Sequence, residues 1–335
     1  MSSSSLWPRA QTTNQIPGPP YPPPNATVGG RPTPTPDIAL SATFIALFAL
    51  AGATHVCTFW HNRLRRGRLF PFSLLLAGFC TTRIAALAMR VAWARHPADV
   101  DLAIASMVLT SAGVLIVFAV NLFLTVRVVR AVWPRVGWSG PVWWGLRVVV
   151  GTVVAVLVMV VVCSVHTLFT LDEEVRRKER QVTLFAGVYM SCLAAVPWVV
   201  MGLLAVVGRK GDYWQQREDF GAGRMRTKIG LLVGASLLLT LGAGFRCGAS
   251  FAIRPVADPA WYHSRGAFYG FNFAIELVVV YTYAIMRFDR MFHVPPGSAG
   301  PGDYSRDRLD GMADSGDSSR PRSREKEPGS GDSGV

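Results

Sequence analysis

The sequence predicts an all-α fold, a polytopic integral membrane bundle of seven transmembrane helices with the N-terminus outside and the C-terminus cytosolic. Three observations predict it. Half of the 335 residues are apolar and only 16% are charged, with a mean hydropathy of +0.31; soluble domains carry about 25% charged residues. Seven apolar runs reach the roughly 20 residues that a helix needs to cross a bilayer core. Finally, the basic residues alternate. Of the 34 Lys and Arg, 22 fall in or beside the connections after the first, third and fifth runs and the C-terminal segment, 9 fall on the other side, and 3 lie within runs. The positive-inside rule then sets the orientation.

Taken in order, residues 1–37 are rich in Pro, Ser and Thr and nearly uncharged, and read as a disordered or polyproline-like outer tail. The tail carries the glycosylation sequon Asn25-Ala26-Thr27, usable only on the lumenal or extracellular side. The membrane domain, 38–293, holds spans at 38–60, 69–93, 103–126, 147–170, 183–207, 229–251 and 267–287. Trp60, Trp93, Trp133, Trp143, Trp144 and Trp261 lie near span ends, where amphipathic rings anchor at the interface. The sixth span has glycines four apart, Gly230 with Gly234 and Gly244 with Gly248, a spacing that favours close helix approach. The basic connection 208–228 reads as a loop touching anionic lipid, or more sharply as a docking surface for a cytosolic partner. Residues 294–335 read as a disordered cytosolic tail, with Ser323 in a charge context suited to phosphorylation.

The net charge of +13 is divided among short clusters between apolar runs, with no groove-reading or stacking motif, so nucleic-acid binding is not expected. The five cysteines, Cys57, Cys80, Cys163, Cys192 and Cys247, all sit inside apolar runs and read as small buried hydrophobes.

Ionisable groups at membrane depth are costly and need partners. Three stand out: Arg83, Arg246 and Glu276. Arg90 lies near the end of its span and is expected to snorkel. At about 1.5 Å per residue, Arg83 and Glu276 are nearly level and Arg246 is about 6 Å nearer the outer surface. The sixth and seventh spans are joined by a short loop. An Arg246–Glu276 pair is therefore expected, with Arg83 and Asn272 on the same outer-half cavity. Tyr269, Asn272, Glu276, Tyr283 and Arg287 recur near multiples of 3.6 and share a helix face. His55, Asn121, Tyr189, Tyr269 and Tyr283 are candidate interhelical hydrogen bonders. The centre reads either as an ion pair that fixes helix register or as a cavity for an anionic or polar guest.

No span-seven lysine is present for a Schiff base, and His55 and His166 are too far apart in depth for axial haem ligation. His96, His166 and His263 all lie on the outer side, but no HExxH, P-loop or GxSxG pattern accompanies them. No enzyme activity, cofactor or metal is expected. Rhodopsin-type receptor motifs are also missing from the third, sixth and seventh spans.

Several stretches carry a resemblance: residues 52–55 (GATH), Gly78-Phe79-Cys80 with Arg83, 92–94 (AWA), 241–246 (LGAGFR), 258–264 (DPAWYHS), 271–273 (FNF) with Glu276, 289–295 (DRMFHVP) and 300–305 (GPGDYS). In these the chain resembles a family of filamentous-fungal seven-helix membrane proteins, often labelled family-C-like G-protein-coupled receptors. The resemblance implies a fungal membrane protein and brings no activity or site residue with it. The leading expectation is a receptor-like sensor at the plasma membrane or an endomembrane. A transporter or lipid-handling protein, and a non-catalytic membrane scaffold, are the alternatives.

Overall fold

The computed structural model describes residues 18–21, 25–210 and 217–305. Seven helical segments are long and apolar enough to cross a membrane, in the all-helical arrangement that the sequence predicts. They are α1 (Pro34–Arg66), α2 (Pro71–Arg95), the pair α3 (Val100–Ala112) and α4 (Val114–Val132), α6 (Gly140–His166), α7 (Glu173–Lys210), α8 (Met225–Phe251) and a composite seventh span. A single turn, α5 (Pro134–Gly137), separates α4 from α6. Proline at the first turn starts α1, α2 and α6, where its missing N–H is not needed.

Two spans depart from the regular helices expected. In the third, α3 gives way to α4 at Gly113, which keeps helical dihedrals (φ −59°, ψ −37°) and where an added Cβ would come within 2.7 Å of the Thr82 hydroxyl and 3.3 Å of the Arg83 guanidinium carbon. The seventh is composed of α9 (Arg265–Tyr269), a π-helical turn at Gly270–Ala274 and α10 (Ile275–Ile285). A π turn inserts an extra residue and so rotates the helix on its C-terminal side. Beyond α10, Arg287 takes a left-handed conformation, φ 51°, and the short α11 (Phe288–Met291) leaves in a new direction.

The spans pack so that α1 contacts α2 and α10, while α8 contacts α7, α10 and α4. α4 is the inner post, touching α2, α7 and α8, and its Val117, Val120, Leu124 and Val128 are fully buried. α6 is the reverse. It packs on α7 and leaves Val148, Val154, Val158 and Val162 exposed, a surface that hydrocarbon suits and water does not. Lipid is as apolar as leucine, so dispersion and shape hold such a bundle. Aromatic rings supply much of both: Phe48 packs edge-on against Phe79 and Phe273, and Phe44 stacks on Tyr269. The close helix approach falls at Gly242, whose added Cβ would lie 3.0 Å from the Phe271 carbonyl. Gly230, Gly234, Gly244 and Gly248 do not serve it, since an added Cβ there meets nothing within 4 Å.

The described parts of both flanking segments pack against the bundle. Residues 25–33, assigned to a disordered tail, lie across one end of the bundle. Ala26 donates to the Arg254 carbonyl at 2.9 Å, Gly29 to the His263 carbonyl at 3.0 Å, and Asn25 bridges Pro255 antiparallel. Gly29, at φ +83°, has no room for a side chain beside the Phe268 ring. At the other end, residues 294–305 pack back onto the bundle. Tyr304 is buried against Trp138 and Phe220, and Glu218 accepts from the Gly302 and Tyr304 amides at 2.7 and 3.1 Å. The order follows from local chemistry: buried aromatic area and paired backbone amides offset the chain entropy. We refer to the end carrying residues 25–33 as outer and the end carrying 217–224 and 294–305 as inner. The remaining tail expectations, including Ser323, fall on 1–17, 22–24, 211–216 and 306–335, outside the described residues.

Candidate functional site

The structure gathers Arg83, Arg246, Asn272 and Glu276 into one centre between α2, α8 and the seventh span. Its hierarchy differs from the one expected. Arg83 is the close partner of Glu276: Nη2 donates to Oε1 at 2.7 Å, and Nε lies 2.6 Å from Oε2, a charge contact rather than a well-directed hydrogen bond. Both side chains are buried, with 0% and 2% exposed. Arg246 is the looser member. Its Nη1 is 3.3 Å from both Glu276 Oε1 and Asn272 Oδ1, and its side chain is 24% exposed. Connectivity favoured Arg246, but depth decides. Arg83 is level with the carboxylate, and Arg246 must reach inward from nearer the surface.

Local structure builds this seat. The missing side chain at Gly113 leaves room for the Arg83 guanidinium, and Arg83 Nη1 donates to the Thr110 carbonyl at 2.6 Å. The guanidinium also lies over the Phe79 and Phe273 rings at 5.2 and 5.5 Å, which places its charge against two π faces. Asn272 anchors to the Phe268 carbonyl at 3.0 Å within the π turn. With two cations and one carboxylate the centre keeps a formal positive excess. It is closed around Glu276 and opens only at Arg246.

A second buried centre sits at the outer end, and sequence reasoning missed it. Asp37 is fully buried. Its Oδ1 accepts from Arg90 Nε and Nη2 at 3.1 and 2.9 Å and from the Tyr269 hydroxyl at 3.0 Å. Its Oδ2 accepts from the Thr33 amide at 2.9 Å and lies 3.0 Å from Arg265 Nε. Arg90 does not snorkel. It donates to the Gly29 carbonyl at 2.9 Å and lies 4.1 Å over the Phe268 ring, and so ties the N-terminal segment to α2 and α9. One signal was present: Arg83 and Arg90 are seven residues apart and share a helix face. Asp37, counted with the tail, hid its partner.

The other candidates separate. Tyr269 belongs to the Asp37 centre, with Ser41 at 2.8 Å from its hydroxyl. Tyr283 donates to Asn121 Oδ1, deep between α10 and α4. His55 places Nε2 3.3 Å from the Val280 carbonyl and its ring edge-on to Phe288. Tyr189 pairs with Thr152 at 2.6 Å on the α6–α7 contact, away from both centres. Arg287 is off the shared helix face and forms a third centre with Asp289. Its Nε and Nη2 each lie 3.0 Å from one Asp289 oxygen, and Asn62 donates to that carboxylate at 2.8 Å. Burial alone would push the Asp289 carboxyl up, but the Arg287 and Asn62 hydrogen bonds outweigh it and hold it below the usual carboxylate value.

Among the described residues, no cluster of three or more His, Cys, Asp or Glu could hold a metal, and His96, His166 and His263 do not converge. His166 instead pairs with Glu179 at 2.5 Å.

Residues 212–293 match the model of a family described as protein of unknown function, DUF3112. That segment contains Arg246, Asn272, Glu276 and Asp289, and not their partners Arg83 and Asn62. No curated protein and no solved structure matches the chain. Among the described residues seven helices are long and apolar enough to cross a membrane, which makes the chain an integral membrane protein by length and composition.

Proposed function

We propose that the chain is a receptor-like membrane sensor, N-terminus outside, in which the seventh span relays an outer event to the inner face. The observation that carries this reading is the seventh span itself. Arg265 and Tyr269 engage the outer centre, Asn272 and Glu276 the middle one, and Tyr283 hydrogen-bonds Asn121 below. Just past the span's end, Arg287 and Asp289 form the inner centre. The π turn lies between the first two. In this reading the turn is the two-state element that coupling requires, shifting between neighbouring registers. Arg246, the loosest and most exposed charge of the middle centre, is where an anionic or polar effector would act. In this reading the chain binds and relays, carries out no catalysis and uses no cofactor. A cytosolic partner would meet residues 217–228 and the C-terminal segment, at the plasma membrane or an endomembrane.

The test is a distance measurement on the full chain in nanodiscs, with spin labels at Ile285→Cys and Leu203→Cys in a background lacking other reactive cysteines. A relay predicts that Glu276→Gln, and independently Arg246→Ala, shifts the inner-end distance distribution or adds a second population. Breaking a buried pair also costs about 3–5 kcal/mol, so both arms are read on the folded fraction. Unchanged distances with only a lower unfolding temperature would reduce the centre to a structural tie.

A further inference from the structure

At the inner end an open cleft of 1530 Å³ runs between α7, α8 and the segment following α11. Its walls are of two kinds. The floor is apolar and membrane-level, with Ala205 from α7 and Ile229 and Val233 from α8. The rim is basic, with Arg68, Arg224, Arg226 and Arg290 from three separate parts of the chain. All four are exposed, and none makes an ion pair among the described residues. Among the described lining residues Asp219 is the one carboxylate, and it lies 3.6 Å from Arg217.

The rim is held in place. Ala222 donates to the Arg290 carbonyl at 2.8 Å, and the buried Lys228 donates to the Phe220 carbonyl with its ammonium over that ring at 4.2 Å. Glu218 accepts two amides of the C-terminal segment. α8 also begins here without a side-chain cap, so its N-terminal dipole adds to the positive field.

We infer that this cleft binds one molecule of an anionic phospholipid whose headgroup carries phosphomonoesters. The planar guanidinium fork matches phosphate geometry. An apolar floor continuous with the membrane spans suits an acyl chain, which a soluble phosphate compound or an acidic peptide lacks. The inference goes beyond the sensor reading and does not depend on it, because binding requires no change of state.

The test uses the full-length protein in phosphatidylcholine nanodiscs, doped either with doubly phosphorylated phosphatidylinositol or with phosphatidylserine at equal charge. Retained lipid is read by native mass spectrometry. The cleft predicts preferential retention of the phosphorylated lipid. Combined Arg224→Ala, Arg226→Ala and Arg290→Ala should weaken it roughly fivefold per residue, on the order of a hundredfold together. Removing Arg63, Arg65 and Arg135, equally basic but outside the cleft, should change it less than about threefold, well under one arginine's share. Gly230→Leu tests the floor. An added Cβ there meets nothing within 4 Å, and leucine suits a helix better than glycine. It should block the lipid and spare any binding of free inositol polyphosphate. Equal losses in the two arginine triples would reduce the effect to diffuse surface charge. No preference over phosphatidylserine, or free inositol polyphosphate or an acidic peptide binding as tightly as the lipid, would overturn the lipid assignment.

Discussion

At the scale of residues, each buried carboxylate has a guanidinium and at least one neutral polar neighbour. Glu276 has Arg83, Arg246 and a neighbouring Asn272; Asp37 has Arg90, Arg265, Tyr269 and the Thr33 amide; Asp289 has Arg287 and Asn62. A charge taken from water without this full set would cost several kcal/mol. Asp289 lies beyond the last span, where aqueous pH reaches it, and its folded-state pKa lies below the ordinary 3.8. A depressed carboxyl contributes stability that is fully present above the unfolded value and lost as pH falls through the folded one. The difference in unfolding temperature between the native protein and Asp289→Asn should therefore hold steady from neutral pH to about pH 4 and shrink below it. A difference that grows on acidification would contradict the Arg287–Asp289–Asn62 assignment. Arg83, Arg246 and Glu276 were legible as residues because three charges in apolar runs cannot be overlooked. Asp37 was not, because a carboxylate beside two prolines at a helix start looks like a solvated cap.

At the scale of elements, helix irregularities place the chemistry. The α3–α4 junction at Gly113 and the π turn at Gly270–Ala274 both adjoin the Arg83–Glu276 pair, and neither has a periodicity signature. Hydrophobic period reports which face is apolar, not whether one carbonyl has lost its partner. The inner loop is governed instead by Gly221, at φ +55° with the Met291 and Arg290 carbonyls where a Cβ would stand. Gly223, at φ +84°, has nothing within 4 Å. Gly221→Ala should lower stability by about 1–3 kcal/mol or more and loosen the 217–224 segment to proteolysis, through both strain and collision. Gly223→Ala should carry the strain alone and have the smaller effect. Equal effects would mean that the carbonyl contact contributes nothing.

At the scale of the whole molecule, the bundle joins two differently built ends. The outer end is closed by residues 25–33 paired with the connection after α8, and the inner end carries the basic cleft. The proposed orientation makes a direct prediction. Asn25 is exposed at the outer end, so the full-length protein from a eukaryotic host should show a glycosidase-sensitive mass shift that Asn25→Gln abolishes. If a sequon placed in 217–224 were glycosylated while Asn25 stayed bare, the topology would be inverted. The sequence by itself determined the seven spans, because bilayer thickness and the cost of unpaired backbone in hydrocarbon leave an apolar run of that length few other forms. It also determined that Arg83, Arg246 and Glu276 must be answered for, since ionised groups at that depth need partners. Only the tertiary structure decided who partners whom. Arg83 outranks Arg246 because a pair energy depends on a few ångströms of depth and on the Thr110 carbonyl that also holds the Arg83 guanidinium. Likewise, Asp37 and Arg90, fifty-three residues apart, meet only once α1, α2 and α9 are packed together.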